Sequence, residues 1–232
     1  MREVGPPGAV LGAVLWDMDG LLVDSEPAWT VAETELATQL GGRWDEAIKA
    51  AVVGTRLEVA VPTILRWYGV PDTPRQVAET SAWLLARMVE LFHGRLPLLP
   101  GARELLADLR EQGVPVALVS SSYRVLVDAV LDGGIGPFDL TLAGDEVEHG
   151  KPHPEPYLHA ARALGVPATS CVVLEDSPAG VAAGEAAGCA VVAVPSVPGV
   201  AFGPGRRRLV VGSLTEVSTQ DLRTLVAVES AA

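Results

Sequence analysis

Four short clusters carry groups able to do chemistry. Asp17-Met18-Asp19-Gly20 sets two carboxylates at i and i+2 before a glycine. Like charges this close repel, and keeping both ionised calls for a cation. Ser120-Ser121-Ser122 closes an apolar run and opens a helix-like stretch. Hydroxyls and backbone N–H groups at such a start cradle an anion, although serine is also an ordinary helix cap. Gly150-Lys151-Pro152 holds one of only two lysines, the other being Lys49, in a chain with fifteen arginines. An ammonium is a compact point charge where a forked guanidinium would not fit. Glu175-Asp176-Ser177-Pro178 repeats the acidic pair ahead of a proline suited to a first helical turn, and Asp is equally at home there as a cap. Asp17, Asp19, Glu175, Asp176 and Ser177 together offer the oxygen-rich donor set that suits a hard divalent cation such as Mg2+.

These clusters need a scaffold that brings them together. Near-continuous apolar runs at Val10–Trp16, Val116–Val119, Leu140–Ala143, Cys171–Leu174 and Ala190–Val194 predict strands covered on both faces. Helix-like stretches alternate with them at Gly101–Gln112, Arg124–Leu131, Glu155–Leu164 and Pro178–Ala187, each followed within a few residues by glycine. Strand alternating with helix predicts an α/β fold with a doubly wound parallel sheet. In such a sheet ligands bind outside the carboxyl ends of the strands. All four clusters fall there. About a hundred residues separate the first two strands, where a single crossover helix would suffice. Pro27–Leu40, Glu46–Val53, Leu57–Tyr68 and Pro74–Phe92 read as helices, which predicts a helical insertion at 23–95 in a core formed by 1–22 and 96–232.

Composition bounds the function. The 232 residues allow roughly one and a half domains of about 150 residues. At 49% hydrophobic and 20% charged, the chain can bury a sizeable core. A net charge of −12 opposes general binding to nucleic acid or anionic membrane. An anionic small molecule would need local positive charge. Mean hydropathy is +0.31, yet no run of 18 apolar residues occurs, and Met1–Leu15 does not read as a signal peptide. Cys171 and Cys189 are too few for a disulfide framework and read as buried small hydrophobes. No Asn is present, so N-glycosylation is excluded. The expectation is a cytoplasmic monomer. His93, His149, His153 and His159 form no ligand spacing with cysteine and read as bland. Trp44, Trp67, Trp83 and Tyr68 read as core of the insertion, and Arg206–Arg208 as a solvated charge run.

The order DxDG, then Ser after the second strand, then Lys, then an acidic pair after the fourth resembles the haloacid dehalogenase superfamily over nearly the whole chain. The stretches DMDGLLVDSEPAW, LLPGARELL, SSS, GKPHPEPYLHAA and LEDSPAGVAAGEAAG are similar to those of its 2-deoxyglucose-6-phosphate phosphatases, hexitol phosphatases and beta-phosphoglucomutases. The resemblance implies a Rossmann-like core with a small helical cap. It also implies Asp17 as nucleophile and Asp19 as general acid/base, with Ser120, Lys151 and the Ser121 N–H on the phosphoryl group. Mg2+ would be held by the Asp17 carboxylate, the Asp19 carbonyl and Asp176, with Glu175 nearby. Asp19 argues against dehalogenation, because a halide leaving group needs no proton. The related mutases carry a histidine where this chain has Trp29, while Arg56 of Val53-Gly54-Thr55-Arg56 is kept. Glu26, in Asp24-Ser25-Glu26-Pro27, is expected to face the substrate at the entry to the cap. The expected function is a Mg2+-dependent phosphatase of small phosphorylated metabolites, sugar or polyol phosphates. The alternatives are a phosphosugar mutase and a catalytically silent binding member.

Overall fold

The computed structural model describes residues 10–52, 55–93, 96–196, 200–203 and 205–228. Five strands fall on the apolar runs: β1 (Ala13–Trp16), β2 (Val116–Val119), β3 (Leu140–Leu142), β4 (Cys171–Glu175) and β5 (Ala190–Ala193). Nine α-helices are found among the described residues: α1 (Glu26–Gln39), α2 (Glu46–Val52), α3 (Leu57–Trp67), α4 (Pro74–Phe92), α5 (Ala102–Glu111), α6 (Arg124–Asp132), α7 (Glu155–Ala163), α8 (Pro178–Ala186) and α9 (Thr219–Ala227). None is long and apolar enough to cross a membrane.

A sixth strand, β6 (Arg208–Val210), corrects the reading of Arg206–Arg208 as a solvated run. Arg208 pairs with Glu185 at 2.5 Å, and Arg207 donates to the carbonyls of Gly188 and Thr169. Two of the three arginines therefore tie the sheet edge to neighbouring segments. The Gly/Pro-rich residues 197–199 and 204 lie outside the described residues.

All six strands are parallel, in the order β3-β2-β1-β4-β5-β6. β1 is buried along its whole length, with β2 on one side and β4 on the other. The chain builds outward to β3, then crosses back to start β4. The switch point, where such sheets open a crevice, therefore lies between β1 and β4. On one face Leu15, Val119, Val173 and Val191 pack with Tyr157 of α7 and Val181 of α8. On the other, Val14, Trp16, Leu118 and Leu174 are buried, with α5 and α9 against β2 and β4. Burial on both faces explains why these strands read as unbroken apolar runs.

Contacts divide the chain into two compact units. One comprises Met1–Asp24, Pro97–Arg124 and Gly136–Ala232, the other Ser25–Leu96 and Val125–Ile135. In the second unit α3 buries Leu57, Ala60, Val61, Ile64 and Leu65, a spacing of i, i+3, i+4, i+7 and i+8 that makes one apolar stripe. Trp67 falls off that stripe and is 49% exposed. Trp44, Trp83 and Tyr68 are only half-buried. The expectation of a core place is thus corrected for Trp67, while Ile48, Leu84, Met88 and Phe92 are buried in the same unit.

Glu33 on α1 gives a pH-dependent stability. Burial first, and then Glu26, hold its carboxyl up from 4.5 to about 7, with Lys49 pulling the other way. Between those two values the folded chain keeps a proton that the unfolded chain has lost, so stability falls as pH rises through the window. Glu33→Gln removes the fall. Urea melts should show a gain of about 1–2 kcal/mol at alkaline pH, reduced from the full shift by partial exposure, and none at acidic pH. An equal gain on both sides of the window would refute it.

Candidate active site

The carboxyl ends of β1, β2 and β4 converge at the switch point. Asp17 follows β1 and is 6% exposed. Met18 is fully buried, and its carbonyl accepts from the N–H groups of Leu22 and Val23, which fixes the turn carrying Asp19. Gly20 adopts a φ of +79°, and a Cβ there would lie 2.3 Å from Asp176 Oδ2. Only glycine lets this turn pass so close to a carboxylate.

Lys151 sits at the centre. Its Nζ lies 2.5 Å from Asp17 Oδ1, 2.6 Å from Glu175 Oε1 and 2.9 Å from the carbonyl of Val119 at the end of β2. Its side chain is 4% exposed and lies over the Tyr157 ring. Burial works against the ammonium, but Asp17 and Glu175 outweigh it and hold its pKa above the usual lysine value. An ordinary surface lysine would have none of this.

Glu175 accepts five hydrogen bonds. Oε1 accepts from Lys151 and from Tyr157 Oη at 2.7 Å. Oε2 accepts from the N–H groups of Asp176 and Ser177 and from Ser177 Oγ. Burial pushes its pKa up, yet Lys151, Tyr157 and these amides win and hold it below the usual range. A Cβ on Gly180 would strike the same carboxylate, so α8 approaches it only because that position is glycine.

One ammonium offsets one carboxylate, and Glu175 takes it. The surplus falls on its neighbours. Burial drives Asp17 well above the usual range; Lys151 opposes this, and Glu175, Asp176 and Asp19 add to it. Asp176 is pushed to about 7, by burial and then by Glu175, against the pull of Ser196. A site with this charge surplus fits a further cation. Asp17, Glu175 and Asp176 each offer an oxygen, all within 4.8 Å of one another, and all-oxygen ligation suits a hard divalent ion.

The serine cluster closes the site. Ser122 Oγ donates to Asp19 Oδ2 at 2.8 Å, and Ser120 Oγ lies 3.4 Å from the same oxygen. Ser120 Oγ also accepts from the Ser122 N–H at 2.9 Å. Ser120 is buried, whereas Ser121 is exposed. Asp17, Asp19, Ser120, Lys151, Glu175 and Asp176 therefore come together within one unit.

The residues read as substrate contacts lie in the other unit. Glu26 pairs with Lys49 at 2.5 Å. Trp29 is half-buried on α1, and Arg56 precedes α3 with its Nε 3.7 Å from Glu58. Val53 and Gly54 lie outside the described residues.

Three site residues escaped the sequence reading. Tyr157 had a signal, since a tyrosine on the inward stripe of a helix needs a partner for its hydroxyl. Ser122 was read only as part of a cluster. Ser196 Oγ donates to Asp176 Oδ2 at 2.5 Å. It stands two residues past the fifth apolar run, as Asp17, Ser120 and Asp176 stand just past theirs.

The sequence model of the haloacid dehalogenase-like hydrolases matches residues 11–188. The chain belongs to that family. Hexitol phosphatase B of Escherichia coli K12 is 36% identical to this dehalogenase-like hydrolase over 227 residues, covering 93% of this chain and 98% of the relative. The phosphoglycolate phosphatase of Pectobacterium atrosepticum is 34% identical over 177 residues, 75% of this chain and 76% of its own. Among solved structures, a CbbY mutant from Rhodobacter sphaeroides in complex with xylulose-1,5-bisphosphate superposes with a TM-score of 0.82 at 27% identity, over 92% of this chain and 99% of that one. This member of the family is a phosphoric monoester hydrolase.

Proposed function

We propose that the enzyme hydrolyses sugar or polyol phosphates through an aspartyl-phosphate on Asp17, with Mg2+ as cofactor. The observation that carries this reading is Lys151 Nζ held between Asp17 and Glu175 at the switch point, with Asp19 and Ser120 alongside. The similarity to hexitol phosphatase B supports the substrate class.

The Asp17 carboxylate attacks phosphorus, and the bond to the leaving alkoxide breaks as the new P–O bond forms. Asp19 gives that alkoxide its proton. Asp19 then takes a proton from the water that attacks the phosphoenzyme, releasing inorganic phosphate and restoring Asp17. Ser122 holds Asp19 in place through its Oδ2. Lys151, the Ser120 hydroxyl and the Ser121 N–H bind the oxygens of the moving phosphoryl group. Asp17, Asp176 and the Asp19 carbonyl would hold Mg2+, which supplies charge neutralisation at the phosphoryl oxygens and at the crowded carboxylates. Glu175, its oxygens already taken by five donors, orients Lys151 from behind. The helical unit, with Glu26, Trp29 and Arg56, supplies the substrate contacts of a cap at 23–95. We place the enzyme in the cytoplasm as a monomer acting on a small metabolite, without nucleic-acid or membrane partners.

Trp29 separates hydrolysis from mutase chemistry, because its indole N–H only donates and cannot relay a proton. Incubation with glucose 1-phosphate and hexose 6-phosphates should release phosphate stoichiometrically, with no need for a bisphosphate. Isomer interconversion outrunning phosphate release would overturn hydrolysis in favour of a phosphosugar mutase.

Ser196→Ala deprives Asp176 of its donor. The loss of such an outer partner should weaken Mg2+ binding about 10–100-fold, read by calorimetric titration and by the Mg2+ dependence of turnover, with kcat kept at saturating Mg2+. Unchanged Mg2+ affinity would detach Ser196 from the site.

A further inference from the structure

The segment around Lys151 carries a second donor set, open to solvent where the lysine is buried. His149 and His153 flank the lysine, and Glu155 opens α7. His149 Nδ1 lies 3.0 Å from Glu155 Oε2, and His153 Nδ1 lies 3.9 Å from the same oxygen. One donor atom from each of the three residues falls within 4.8 Å of the others. The two imidazole rings lie 4.6 Å apart, tilted by 36°. A tetrahedral ion that binds nitrogen and oxygen at about 2.0–2.2 Å spaces its ligands about 3.3–3.5 Å apart. The two measured separations stand on either side of that value.

The chemistry of the donors is also set. Glu155 is fixed by the backbone N–H groups of Glu148, at 2.9 Å to Oε1, and His149, at 3.0 Å to Oε2. The Glu155 N–H donates to His153 Nδ1 over a long 3.3 Å, so that nitrogen turns its lone pair inward. His149 Nδ1, facing the carboxylate, carries a proton. An entering cation takes the Nδ1 lone pairs: the His149 proton passes through solvent to Nε2, which leaves the ring neutral, and the long bond to His153 is displaced. Both imidazoles are half-exposed, which leaves an approach from solvent. Two nitrogens and one oxygen favour a borderline ion over Mg2+, which keeps to oxygen.

We propose that His149, His153 and Glu155 form a binding site for a divalent transition-metal ion of the zinc class, with water completing the shell. It is distinct from the oxygen-lined site at Asp17 and Asp176. Occupation ties together both flanks of Lys151.

The test titrates the whole protein, with Mg2+ in excess to fill the oxygen site, using Co2+ as spectroscopic probe and Zn2+ as competitor. Wild type should bind one Co2+ with the visible absorption of a four-coordinate ion, displaced by Zn2+. His149→Ala and His153→Ala should each weaken binding more than about a hundredfold, since losing a ligand costs more than losing an outer partner, itself about 10–100-fold. His93→Ala and His159→Ala should bind as wild type. Phosphatase turnover in zinc-free buffer should be unchanged in His149→Ala, showing that this variant is folded. On wild type itself, Zn2+ should move the imidazole proton resonances of His149 and His153 and leave those of His93 and His159. Absence of binding by wild type, binding that survives both substitutions, or shifts confined to His93 or His159 would overturn the proposal.

Discussion

Asp17→Asn should silence the enzyme and leave it folded. The amide matches the carboxylate in size, and its Oδ1 can still accept from Lys151 Nζ, which lies 2.5 Å from Asp17 in the wild type. What disappears is the charge that, on the proposed mechanism, attacks phosphorus and shares in holding Mg2+. Loss of a nucleophile should cost about a thousandfold or more in kcat. The fold should not suffer, because the buried carboxylate is crowded by Glu175, Asp176 and Asp19, and an uncharged group relieves that crowding. Steady-state phosphate release and thermal melting, run on the same preparation, check both halves. Activity kept within about tenfold of wild type, or about 1.4 kcal/mol of barrier, would remove Asp17 from the nucleophile's place.

Lys151 should answer to substitution in two different ways. Lys151→Arg keeps the charge, but a planar fork cannot meet three acceptors placed for a point donor, at 2.5, 2.6 and 2.9 Å. The phosphoryl group is then misplaced, and a displacement of about 1 Å can cost roughly a hundredfold in turnover. Lys151→Ala goes further and leaves two buried carboxylates with no ammonium between them. Breaking a buried pair from one side costs about 3–5 kcal/mol of stability, which a urea melt would register. Lys49 is the control. It also pairs with a carboxylate, but its side chain is 29% exposed and that of Glu26 54%, and pairs at such sites contribute little. Lys49→Arg should therefore be nearly silent. Small, equal effects at the two lysines would make Lys151 an ordinary residue.

The sheet was legible because its strands are buried on both faces, so that each reads as a plain apolar run. β6 was not legible. It is an edge strand of three residues, half-buried and beginning at Arg208, and its place depends on Arg207 and Arg208 finding partners far along the chain. The candidate catalytic groups were legible for a related reason. Asp17, Ser120 and Asp176 stand next to strands that announce themselves, and Lys151 stands out by rarity. Trp67 was not legible because tryptophan tends to be buried, whereas the helical stripe on α3 decides which side faces in. His149 and His153 read as bland because ligand spacing was sought with cysteine. Their partner is a glutamate set in place by the first turn of α7.

The order of the strands has a consequence for how the molecule comes into being. β1 leaves the ribosome first among the strands, yet both of its neighbours, β2 and β4, are made much later. Asp17 waits 134 residues for the ammonium that will face it. Pairing across such separations is slow and exposes open strand edges meanwhile. The helical unit, whose chain is nearly all made before β2 and which packs mostly within its own stretch of sequence, can form during that wait. An unfinished polypeptide thus holds Asp17 with no lysine beside it and no second carboxylate pair. On the proposed mechanism hydrolytic power arrives only when β4 slots in beside β1 and brings Glu175 and Asp176 to the site, while β5 and β6 have still to join the sheet.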